Sequence, residues 1–261
     1  ERFESRFNAL KCDWKPGMEN EPHIYWDSDV AKWLEAAAYV ILKTGDKNLE
    51  KTVDECVDLI KKNRDKNGYF NSYYLTHPEE KRFSVRINHE LYCAGHFIEA
   101  AVAYAEATGK EMFLKLMEEY VDYIYKVFVE DKSAAFITPG HEEIELALVR
   151  LYRYTKNNKH LELSKFFVDN RGKTVEQPND EYNLCETQDH LPVREQRTAE
   201  GHSVRACYLY SAMADLALEL KDEELYTACK AILDDIVTKK MYITGGVGSS
   251  RLGEAFTVPY D

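Results

Sequence analysis

Residues 91–128 read LYCAGHFIEAAVAYAEATGKEMFLKLMEEYVDYIYKVF, and the fold is decided by the change of pattern halfway along them. Residues 91–105 are apolar almost all round, which marks a helix buried on every side. The turn Thr108-Gly109-Lys110 follows, with glycine supplying the left-handed conformation that ends a helix. The second half places Phe113, Leu116, Met117, Tyr120, Val121, Ile124, Val127 and Phe128 on one stripe at three-to-four spacing, so its other face meets water. An inner helix, a short turn and an outer helix make one hairpin.

The same pair recurs three times. Residues 30–42, 144–154 and 204–218 repeat the inner type. Leu49, Val53, Val57 and Ile60 repeat the outer stripe, as do Leu225, Cys229, Ile232, Leu233, Ile236 and Val237; Leu161, Phe166 and Phe167 give a shorter version. Thr44-Gly45-Asp46-Lys47, Thr155-Lys156-Asn157-Asn158 and Leu220-Lys221-Asp222 are the turns. Tandem hairpins build either an α-solenoid or an α/α barrel, and inner helices apolar around their whole girth favour closure. The expectation is an all-α chain, an (α/α)6-type barrel of inner and outer hairpins occupying residues 1–261 as one domain. A six-pair barrel needs about twelve helices and the pattern supplies about eight, so a barrel truncated at its C-terminus is expected.

Two segments interrupt the repeat. Residues 68–88 carry Gly68-Tyr69-Phe70-Asn71-Ser72-Tyr73-Tyr74, and residues 170–201 contain Asn170, Gly172, Pro178, Asn179, Asp180 and Pro192. Connections this long are usually functional, and both are expected to cover the barrel mouth.

Composition narrows the partners. A formal charge of -12 argues against a nucleic-acid backbone or an anionic membrane and suits a neutral substrate. No apolar run reaches the roughly 18–20 residues that span a bilayer. The N-terminal Glu1-Arg2-Phe3-Glu4-Ser5 has no signal-peptide core, though it also lacks a starting Met. Six cysteines (Cys12, Cys56, Cys93, Cys185, Cys207, Cys229) form no C-x-x-C pair, which points to reduced core thiols and a cytoplasmic setting. No zinc-ligand spacing is visible, so no metal is expected within this chain. An open barrel would expose the flank of an inner helix, and dimerisation there is expected.

Three inner helices open with histidine, in Asn88-His89-Glu90, Gly140-His141-Glu142-Glu143 and Gly201-His202-Ser203. Inner helices of stacked hairpins run the same way, so His89, His141 and His202 are expected on one rim. The first inner helix has Asp27-Ser28-Asp29 at the corresponding place, where carboxylates cap a helix. His96 lies in an apolar run and reads as a packed residue. Imidazoles suit sugar hydroxyls, and Trp26, Tyr73 and Tyr74 are aromatics that either pack on a sugar or belong to the core.

Near the end, Glu254 stands alone between Gly253 and Ala255-Phe256, after the run Thr244-Gly245-Gly246-Val247-Gly248-Ser249-Ser250. Desolvation there would raise its pKa, as a general acid working near neutral pH requires. The glycine run lacks the Gly-Lys-Ser/Thr ending of a phosphate loop.

These residues resemble glycoside hydrolase family 127, the β-L-arabinofuranosidases. The likeness lies in residues 89–101 (HELYCAGHFIEAA), Asp27-Ser28-Asp29-Val30-Ala31-Lys32-Trp33, Gly140-His141-Glu142-Glu143, Pro192-Val193-Arg194-Glu195-Gln196, Ala199-Glu200-Gly201-His202, and Gly253-Glu254-Ala255-Phe256-Thr257. The resemblance implies an (α/α)6 barrel followed by β-sandwich domains and a retaining mechanism with a cysteine thiolate held on zinc. It implies Glu254 as general acid/base and His89, His141 and His202 as sugar-binding residues. The zinc-binding Glu-x-Cys and the nucleophilic Cys-Cys pair of the family would fall beyond Asp261, and none of the six cysteines here sits in a matching motif. Zinc is therefore expected in the parent protein rather than in this chain. Two other readings stand beside this one: an inactive carbohydrate-binding protein, or another α/α-barrel sugar enzyme such as an unsaturated-uronyl hydrolase or an epimerase.

Overall fold

The computed structural model describes residues 2–173 and 184–261, and these contain ten α-helices and no named β-strand. Contacts divide the chain into two units: Glu1–Ser84 with Asn88–Ala135 and Arg153–Lys156, and Val85–Ile87 with Phe136–Tyr152 and Asn157–Asp261.

The first unit holds α1 (Arg2–Ala9), α2 (Trp26–Thr44), α3 (Lys47–Asn63), the single turn α4 (Ser72–Thr76), α5 (Glu90–Thr108) and α6 (Met112–Tyr125). The α2 helix packs along α5, with α3 against α2 and α6 against α5. As its composition requires, α5 is buried on nearly every side, and all eight apolar residues of the outer stripe from Phe113 to Phe128 are buried. Turn chemistry closes the first hairpin. Gly45 takes φ +68 and donates to Ile41 O; Asp46 then caps α3 by accepting from the Asn48 and Leu49 N–H groups.

Three expectations are corrected here. The α2 helix is not buried all round: Tyr39, Val40 and Leu42 are exposed, because α1, α3 and α5 cover only its other faces. Asp27 does not cap its own helix. It lies inside α2 and accepts from the Ser72 N–H at 2.7 Å, at the start of α4, whose N-cap is Asn71. Residues 68–88 do not merely form a cover, since Tyr69, Phe70, Tyr74 and Phe83 belong to the core. The Tyr69 ring meets Tyr120 edge-on at 5.3 Å.

The second unit holds most of α7 (Ile144–Thr155), then α8 (Asn158–Asn170), α9 (Ser203–Leu220) and α10 (Glu223–Asp235). Leu209, Met213 and Leu216 of α9 pack with Leu225 and Ile232 of α10 and Val168 of α8. Lys221 adopts φ +55 to close α9, and Asp222 caps α10 through the Leu225 N–H. The α9 helix also departs from burial all round. It is packed by α8 and α10, which leaves Leu218 71% exposed beside Tyr226 and Leu233. Pro178, Asn179 and Asp180 of the long connection lie outside the described residues.

Burial raises two carboxyls of the first unit, Glu90 and Asp27. Glu90 accepts from the Tyr69 hydroxyl at 2.7 Å and the Phe83 N–H at 2.6 Å, yet burial outweighs these bonds and pushes it up to about 7. Burial likewise pushes Asp27 up to about 6, against the Ser72 bonds that lower it. A carboxyl raised by folding stabilises fully below its unfolded pKa and loses that contribution as pH rises through the folded one. Thermal unfolding followed from pH 5 to pH 8 is therefore expected to show falling stability, with roughly 3 kcal/mol of the loss from Glu90. Glu90→Gln flattens the profile on this account; an unchanged slope in that variant would contradict it.

Candidate active site

The N-terminus of α9 anchors the site. Gly201 adopts φ +72, and a Cβ there would lie 1.8 Å from the Cys185 carbonyl oxygen, so only glycine lets loop 184–190 approach this closely. Buried Gln188 fastens the contact, donating from Nε2 to Glu200 O at 2.9 Å and to Cys185 O at 3.3 Å. On the other side the chain returns from α10. The Phe256 N–H donates to Gly201 O at 2.9 Å, His202 and Ala255 form an isolated antiparallel bridge, and Ser203 Oγ donates to Glu254 O at 2.9 Å. The glycine-rich run also lies against this point: a Cβ on Gly248 would meet Ser203 Oγ at 2.4 Å.

These contacts hold two successive left-handed residues, Gly253 at φ +67 and Glu254 at φ +47. A non-glycine residue in that region costs about 1–3 kcal/mol, and such strain gathers at functional sites. It sets the Glu254 carboxylate 3.0 Å from His202 Nε2. The expectation of a buried Glu254 is corrected: its side chain is 74% exposed, and Phe256 takes the buried place.

Hydrogen bonding assigns the imidazole protons. His202 is the N-cap of α9, and its Nδ1 accepts from the Arg205 N–H at 3.4 Å, so its proton resides on Nε2 and is donated to Glu254. Burial, and then the Arg205 charge, lower the pKa of His202 and favour this neutral form, against the pull of Glu254. His141 lies in the turn just before α7. Its Nδ1 faces the Glu142 carbonyl oxygen at 2.9 Å; since a carbonyl only accepts, Nδ1 carries a proton. The two rings are 5.9 Å apart, centre to centre, and Tyr208 lies 5.9 Å from His141. Imidazoles grouped in this way suit the hydroxyls of a sugar.

Beneath them lies a buried charge network. Arg171 faces Glu142 at 3.1 Å, Glu145 at 3.1 Å and Asp189 at 3.4 Å. Arg86 pairs with Asp189 and donates to Thr138 O at 2.9 Å and Pro139 O at 3.3 Å, which ties loop 187–189 to the turn carrying His141. Burial raises Asp189, but Arg171 and Arg86 outweigh it and hold the carboxyl below its ordinary range. Burial pushes Glu142 up to about 8, with Arg171 opposing.

The first unit holds His89, the N-cap residue of α5, in a left-handed conformation at φ +59. Its ring stands edge-on to Tyr25 at 5.8 Å and to Tyr92 at 5.5 Å. His96 is buried against Tyr92, as a packed residue should be. Of the aromatics singled out for sugar contact, Tyr74 is core, Tyr73 stacks on His77 and Trp26 lies under Arg6. The pattern missed Tyr25, and in the second unit it missed Gln188, Arg86, Arg171 and Glu186.

The family model for the GH127 catalytic domain of β-L-arabinofuranosidases matches residues 6–261. A non-reducing end β-L-arabinofuranosidase of Bifidobacterium longum subsp. longum is 36% identical over 94% of this chain and 40% of its own length. Among solved structures, a GH127 β-L-arabinofuranosidase from Geobacillus stearothermophilus T6 superposes with a TM-score of 0.89 at 42% identity, over 100% of this chain and 43% of that one. A second GH127 β-arabinofuranosidase gives 0.89 at 34% identity, covering 100% and 42%. These enzymes have an α/α-barrel fold, the class in which the helix hairpins place this chain. The chain spans about two fifths of the length of these relatives.

Gly201→Ala combines a left-handed Cβ with a backbone clash, and is expected to destabilise the protein by about 3 kcal/mol. Chemical denaturation checks this, and a variant as stable as the parent would show that loop 184–190 is free to retreat.

Proposed function

The chain belongs to glycoside hydrolase family 127, and from that premise we propose that the whole protein removes terminal β-L-arabinofuranosyl residues from its substrate. The observation that carries the reading is the pair formed by His202 Nε2 and the Glu254 carboxylate, 3.0 Å apart on a strained turn pinned to α9. A carboxylate held by an imidazole at an open rim is placed to serve both proton transfers of glycoside hydrolysis.

In this mechanism the hydroxyls of the terminal arabinofuranose engage Nε2 of His141 and lie against the ring of His202, whose Nε2–H holds Glu254 in place. The family resemblance also implies a sugar-binding role for His89, at the N-cap of α5. Glu254, protonated at the start of the cycle, delivers its proton to the glycosidic oxygen as the C–O bond breaks; in the second step, now a carboxylate, it takes a proton from the attacking water and is restored to the acid. Retention of configuration requires a nucleophile for the first displacement. Burial raises the thiol pKa of each of Cys12, Cys56, Cys93, Cys185, Cys207 and Cys229, the opposite of what an activated thiolate needs. The zinc implied by the family finds no matching ligand set among the described residues, whose His, Cys, Asp and Glu side chains form no metal-binding group of three. The steps assigned to this chain's residues do not involve the metal. No helix among the described residues is long and apolar enough to cross a membrane, and the six unpaired cysteines support a reducing, cytoplasmic setting.

Glu254→Gln in the whole protein is expected to lower kcat on an aryl β-L-arabinofuranoside by about 100-fold or more, while leaving the unfolding temperature close to that of the parent. Turnover at the parental rate would remove Glu254 from the acid/base role.

A further inference from the structure

Glu186 is a second carboxylate at the same turn, and neither periodicity nor the histidine pattern points to it. A Cβ on Gly253 would lie 3.0 Å from Glu186 Oε1, so the Glu186 side chain reaches the residue directly before Glu254 and occupies the space that a side chain at 253 would need. Its backbone is held in place: Gln188 Nε2 donates to Glu186 O at 3.3 Å as well as to Cys185 O and Glu200 O, and Gly201 packs against Cys185. The charge of Glu186 acts on His202 in the same direction as that of Glu254. Glu186, His202 and Glu254 thus belong to one rim around Gly253.

We propose that Glu186 recognises the leaving group, accepting hydrogen bonds from hydroxyls of the sugar that Glu254 releases. This rests on the glycosidase reading and on Glu254 as its acid. An acid that protonates the glycosidic oxygen must stand on the side of the bond where the leaving group begins. A carboxylate beside it then meets that group rather than the furanose held by the histidines. An ionised carboxylate offers only acceptors, in number enough for two neighbouring hydroxyls, so the partner it selects is polyhydroxylated: a second sugar rather than an aryl or alkyl group.

The test compares two substrates on the whole protein, an arabinofuranosyl disaccharide and an aryl β-L-arabinofuranoside whose leaving group has no sugar hydroxyls. Glu186→Ala is expected to lower kcat/KM for the disaccharide by about tenfold or more, and to leave the aryl glycoside within about twofold of the parent. Glu186→Gln, which keeps an acceptor oxygen, is expected to recover part of the loss. An equal loss on both substrates would make Glu186 a support of the turn and overturn the proposal, as would no loss on either. A parent protein that cleaves neither substrate would overturn the glycosidase reading itself, and this inference with it.

Discussion

Gly201 is the residue on which the arrangement of the site depends. Its missing side chain admits the Cys185 carbonyl to a distance no Cβ would tolerate, and its own carbonyl receives the Phe256 N–H. Loop 184–190 and the return from α10 therefore meet at a single peptide just ahead of α9. The next residue is His202, whose imidazole both caps that helix and reaches Glu254. Helix capping and site geometry are thus one interaction. Without the bond from the Arg205 N–H, His202 Nδ1 would be free to hold the proton, and Nε2 would no longer present a hydrogen to the carboxylate.

The buried charges serve this geometry rather than stability. Ion pairs shielded from water lose most of their Coulomb gain to desolvation, so Arg86 and Arg171 with Asp189 are weak evidence of a more stable fold. What they do is orient. Arg86 spans from Asp189 to the carbonyls of Thr138 and Pro139, and Gly140 lies so close to the Arg86 backbone that a Cβ would sit 2.6 Å from its carbonyl oxygen. The turn bearing His141 and the loop bearing Gln188 are thereby held on one rigid base. A sugar presents hydroxyls in fixed directions, and a site that reads them needs its donors and acceptors equally fixed.

The helix hairpins were legible because they rest on local periodicity and on turn residues. Gly45, Asp46, Lys221 and Asp222 act where the pattern places them, and the stripe from Phe113 to Phe128 is buried as a set. Burial on all sides was legible only for α5. In α2 and α9, apolar composition gives no information about which neighbours cover which face, and Leu42 and Leu218 stay exposed. Asp27 shows the same limit for polar groups, since the N–H it accepts from lies 45 residues further on. Repeat position singled out His141 and His202, and the setting of a lone carboxylate singled out Glu254; the structure brings these three side chains together in the second unit. Glu186 and Gln188 were not singled out, because their contacts with Gly253 and with the turn at Glu200 leave no periodic trace.

The central claim is that the pinned turn carries the acid/base and that the imidazoles beside it hold the sugar. The most direct measurement is a crystal structure of the whole protein, as the Glu254→Gln variant, with an uncleaved arabinofuranosyl disaccharide. The account predicts the glycosidic oxygen about 3 Å from the amide at position 254, with the furanose in contact with the rings of His141 and His202. A disaccharide bound with its glycosidic oxygen far from residue 254, or with the furanose touching neither histidine, would contradict it.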